Sequence, residues 1–162
     1  MIIGHSFSRI AARLALIAAL LLPQVVSAPQ PLLNVMQGCQ AALDFVVEKV
    51  DAKPPKATAA ELNAIREALV NYNDAIQQQV ITPGLNTFNG GDANKVAAMQ
   101  EQIDAYKATI ITAYKKRYPQ PQLFADYAVS IDQCSEQWLP KFGDTEPLKE
   151  ALLSIVAIAQ RK

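Results

Sequence analysis

From Leu32 onward the apolar residues fall at helical spacing. Leu32, Met36, Cys39, Leu43, Val46 and Val50 step by four, three, four, three and four residues, the rhythm of a helix packing along one seam. The run ends at Asp51-Ala52-Lys53-Pro54-Pro55, where two successive prolines forbid continuation. A second helix is predicted to open at Thr58, because Glu61 stands three residues on, the spacing at which hydroxyl and carboxylate satisfy each other's free N–H groups. Its seam is Leu62, Ile65, Leu69, Tyr72 and Ile76, and it should run to about Val80 or Ile81. Thr82-Pro83-Gly84 is expected to stop it. The segment from Thr82 to Gly91 is then the longest irregular stretch, with Leu85 and Phe88 expected to plug one end of the core.

Asp92 is placed to cap a third helix, with a seam of Val96, Met99, Ile103, Tyr106 and Ile110 and a close at Lys115, Lys116 and Arg117 before Pro119 and Pro121. A fourth runs from about Gln122 to Leu139, with Phe124, Tyr127, Ile131, Cys134 and Trp138 on its seam. Pro140 and Gly143 end it, and Asp144 or Thr145 caps a fifth from about Glu146 to Gln160. No segment alternates with the period of two that marks a half-buried strand. The chain therefore reads as all-α: an antiparallel up-down bundle of the first four helices plus a C-terminal fifth.

In such a bundle helices one and four lie side by side and antiparallel. Cys39, about two turns into the first, and Cys134, a little over one turn before the end of the fourth, then stand level in facing seams. A disulfide between them is the expected staple.

The residues before the first helix read differently. Arg9 and Arg13 precede a short apolar run, Leu14 to Leu22, followed by Pro23 and a small-residue site at Val26-Ser27-Ala28. That is the layout of a cleaved export signal over residues 1–28, and the run is too short to span a bilayer. Residues 29–162 are then one domain of the exported protein, with the bacterial periplasm favoured over another exterior compartment. Losing Arg9 and Arg13 leaves thirteen basic residues against fifteen acidic, a formal −2, which is not the charge of a nucleic-acid binder.

Cleavage also removes His5, the single histidine. The mature chain then lacks the usual neutral-pH general base, zinc or copper ligand and proximal haem ligand, so Ser-His-Asp and Cys-His mechanisms are excluded. Two isolated cysteines form neither a CxxC redox motif nor a haem-attachment motif. No catalytic residue, metal or cofactor is assigned. Asp44, Glu48 and Asp51, like Glu101 and Asp104, fall off the apolar seams and read as solvated faces.

Two features point toward partners. Lys115, Lys116 and Arg117 form the one concentrated charge, which serves either as a helix C-terminal cap or as a docking patch for an anionic partner or membrane surface. Ala151 to Ala159 is apolar almost all round, so Leu153, Val156 and Ile158 are candidates for a partner or homodimer surface unless the fifth helix is covered on several sides. The leading expectation is an exported, non-enzymatic bundle that binds another exported protein as an inhibitor, immunity or accessory factor. The alternatives are a carrier of a small apolar ligand, with Tyr72, Tyr106 and Tyr127 as polar tips, and a histidine-free enzyme.

Overall fold

A computed structural model describes residues 30–136 and 144–161, with side chains from Leu33 onward. The expected leader, and Trp138 of the expected fourth seam, lie outside the described residues. The described chain is all-helical: α1 Gln30–Asp51, α2 Ala59–Ile76, a π-helical turn Gln77–Ile81, α3 Thr82–Phe88, α4 Ala93–Arg117, α5 Ala125–Glu136 and α6 Glu146–Gln160. No described residue is in a strand.

The helix starts follow the local chemistry. Thr58 accepts from the Glu61 N–H while Glu61 accepts from the Thr58 N–H, so the capping box forms as spaced. Asp92 accepts from the N–H groups of Asn94 and Lys95 at the head of α4. At α6 the N-cap residue is Thr145, whose side chain makes no cap bond, and Asp144 before it accepts from the Glu146 N–H instead.

The segment expected to be irregular, Thr82 to Gly91, is helical as far as Phe88 and only its last three residues form a turn. Thr82 donates to the Gln77 carbonyl five residues back, a π turn, and α3 continues from it to Phe88. The reason lies in the spacing of the core residues Tyr72, Ile76, Ile81 and Leu85, which step by four, five and four. A regular helix would turn Ile81 roughly 140° from Ile76; one widened turn brings both back to the same side. Pro83 then falls in the first turn of α3, directly after the π turn. Gly84 lets α3 approach α1, since a Cβ there would lie 2.8 Å from Leu33 Cδ2. Leu85 is buried as expected, whereas Phe88 is 43% exposed and plugs nothing.

Packing centres on α1. Its residues from Met36 to Val46 are buried on nearly every side, except for the half-buried Gly38 and Asp44. It packs against α2, α4 and α5, while α6 packs against α2 and α5. The circuit therefore runs α1, α2, α6, α5 and back to α1, with α4 laid on the outer side of α1. This departs from a bundle of the first four helices with a fifth added: α6 holds the position expected for the long α4. The energetic reason is burial. Along α6, Leu148, Ala151, Leu152, Ile155 and Ile158 are buried, whereas α4 fully buries Ile103 alone in 25 residues. Val96, Met99 and Ile110 of the expected α4 seam are half-buried, and Tyr106 is 53% exposed.

The staple is present. Cys39 and Cys134 are disulfide-bonded with their Cα atoms 5.6 Å apart, joining α1 to α5.

Candidate functional site

The polar chemistry gathers in two places, both built on α1. The first is the wedge where α1, the π turn and α4 meet. Gln40, although buried, donates to the Gln77 side chain at 3.2 Å, and Gln77 donates in turn to Gln100 at 3.0 Å. Asp44 receives the Asn73 amide on one oxygen and the Lys107 ammonium, at 3.3 Å, on the other. Lys107 also lies 3.7 Å from Asp104, which accepts from Gln100. This chain of bonds fixes α4 against the first two helices with side-chain polarity rather than apolar burial. Gln40 Oε1 and Asn73 Oδ1 find no hydrogen-bond partner there among the described residues.

The second is the end of the molecule where α1 and α4 finish and α2 and α5 begin. Phe45 of α1 stacks on Tyr114 of α4, with centroids 5.2 Å apart, and meets the edge of Tyr127 of α5 at 5.4 Å. Tyr118 and Phe124 close the cluster. Lys49 ties down the α4–α5 connection by donating to the Tyr118 and Gln120 carbonyls at 2.6 and 2.7 Å. On the other side Arg161 pairs with Glu61 and donates to the Lys56 carbonyl, while Lys56 returns a bond to the Arg161 carbonyl, so the end of α6 is clasped to the α1–α2 connection.

Around this end the carboxylates are mostly spoken for. Glu48 pairs with Lys115 at 2.6 Å, Asp51 with Arg66 at 3.0 Å and Glu61 with Arg161. Asp126 accepts from the Tyr118 hydroxyl. Among the described residues no carboxylate pairs with Lys49, Lys53, Lys56, Lys116 or Arg117, although Arg117 lies over the Tyr118 ring at 5.2 Å. The expected patch Lys115, Lys116 and Arg117 is thus one-third neutralised by Glu48, and the fold adds three lysines that are distant in sequence. Only the order of helices could have revealed that.

The other candidates separate. Leu153 is 69% exposed, Val156 is half-buried against the core and Ile158 is 3% exposed, so Ile158 belongs to the interior and not to a surface. The reason is that α6 is covered by both α2 and α5. Cys39 is buried and Cys134 half-buried, both taken up by the disulfide. The three tyrosines do not line one pocket: Tyr127 packs in the aromatic end, Tyr72 is buried late in α2 and Tyr106 faces outward. Burial pushes the Tyr72 hydroxyl up to about 12 and raises Tyr127 as well, so both stay protonated at neutral pH.

The feature missed in the sequence is the outer side of α4. Gln102, Tyr106, Thr109 and Ala113 step by four, three and four and are all exposed, a stripe with one aromatic between a glutamine and two small side chains. No family model, curated protein or solved structure matches the chain.

Proposed function

We propose that the chain is an exported, non-enzymatic protein that works by binding another exported protein, as an inhibitor, immunity or accessory factor, through the outer stripe of α4. One observation carries this reading: a 25-residue helix buries a single residue, Ile103, and leaves Tyr106 standing among Gln102, Thr109 and Ala113. A helix of that length earns little of its order from its own core. Small side chains let a partner approach closely, and a tyrosine offers a large apolar body with a polar tip, the composition of a binding anchor. No described helix is long and apolar enough to cross a membrane. The disulfide is compatible with an oxidising compartment.

The test is site-specific crosslinking in the source cells. A benzophenone side chain at position 106 is expected to capture one discrete exported protein, and Tyr106→Glu should weaken its co-purification at least tenfold. Capture only from position 153 would move the interface to α6 and refute the α4 reading. Self-association is separable by sedimentation of Leu153→Asp, the informative variant there because Ile158 lies in the core.

A further inference from the structure

We infer that the basic end of the molecule docks on an anionic phospholipid surface, a reading independent of the α4 stripe. Lys53, Lys116 and Arg117 stand exposed at this end without a carboxylate partner, and Lys49 and Lys56, whose ammonium groups donate to backbone carbonyls, add two more charges that no carboxylate offsets, against one carboxylate there, Asp126, that is not ion-paired. Elsewhere among the described residues the balance reverses. Lys95, Lys107 and Lys149 are each paired, with Asp92, Asp44 and Glu146. Glu67, Asp74, Glu101, Asp132, Glu136, Asp144 and Glu150 carry no cationic partner. The charge is therefore divided along the long axis, positive where α1 and α4 end and negative over the remainder.

That division selects the occupant. The five cations come from α1, the α1–α2 connection and the tail of α4, and they are spread over one end instead of converging in a shaped cleft. Such a spread matches a flat field of negative charge, where each lysine or arginine adds about fivefold to partition within a Debye length. An acidic protein would need its own carboxylates placed to match. The negative remainder is repelled from the same surface, so one orientation is favoured, with α1 upright and the α4 stripe free along the side.

The experiment is co-sedimentation of the oxidised chain with vesicles of phosphatidylglycerol and phosphatidylcholine in equal parts, beside vesicles of phosphatidylcholine alone. Binding is expected only to the anionic vesicles, falling at least tenfold in 0.5 M salt and at least tenfold in Lys116→Glu/Arg117→Glu, whose fold is checked by circular dichroism. Lys95→Glu/Lys149→Glu, with the same change in net charge at the other end, should bind like the parent. Absent binding, equal binding to neutral vesicles or equal losses in the two double variants would overturn the proposal. Tighter binding to polyglutamate than to the anionic vesicles would overturn it in favour of an acidic protein partner.

Discussion

At the level of single residues, the clasp between Glu61, Arg161 and Lys56 has a defined pH behaviour. The Arg161 guanidinium, then the Thr58 N–H and hydroxyl, push the Glu61 carboxyl down to about 2. A depressed carboxyl contributes to folding above its ordinary value near 4.5 and loses that contribution as the pH falls toward 2. The clasp should therefore hold at neutral pH and release only in strong acid. Titrating the Glu61 side-chain carbon by NMR is expected to give a midpoint near 2, rising in Arg161→Ala; a midpoint near 4.5 in the parent would refute the pairing. Half of this arrangement was legible in the sequence, because Thr58 and Glu61 are near neighbours. Arg161 lies 100 positions from Glu61, and no local pattern announces it.

At the level of elements, the π turn was written in the chain but masked. Ile76, Ile81 and Leu85 are spaced by five and four, yet Thr82-Pro83-Gly84 reads as a stop. Those residues act differently in context: proline occupies a first turn, and glycine admits Leu33. If the extra residue of the wide turn is what keeps α3 in phase, deleting exposed Gln78 should convert it to an ordinary turn and leave Ile81 and Leu85 inside. Removing exposed Asn71 from the regular part of α2 should swing one half of the helix by about 100° and bring buried side chains into water, at about 1.5 to 3 kcal/mol each. Urea unfolding of the two deletions checks this: a loss of no more than about 2 kcal/mol is expected for the first and a far larger one for the second. Equal losses would show that the wide turn does not set the phase. The α4 seam misled for a related reason. Periodicity gives the side of a helix that meets a neighbour, not how deeply it sinks, and Tyr106 ended outside.

At the level of the whole molecule, the cysteine pair was legible because α1 and α5 each carry one cysteine within an apolar seam, and the expectation of export supplied a reason for bonding. The order of packing was not legible, since α4 and α6 both show helical periodicity and only burial ranks them. The bridge closes a span of 95 positions. Cys39→Ser should lower stability by about 4 to 5 kcal/mol through the regained freedom of the unfolded chain, read from urea unfolding of oxidised parent and variant. A loss below about 1 kcal/mol would mean the packing alone fixes α1 to α5. The burial of α1 has a further consequence for biosynthesis. This helix leaves the ribosome ahead of every neighbour that covers it, and α5 and α6 arrive last. The side of α1 that meets α5 therefore stays open to water until α5 has emerged, and the two cysteines cannot meet before then.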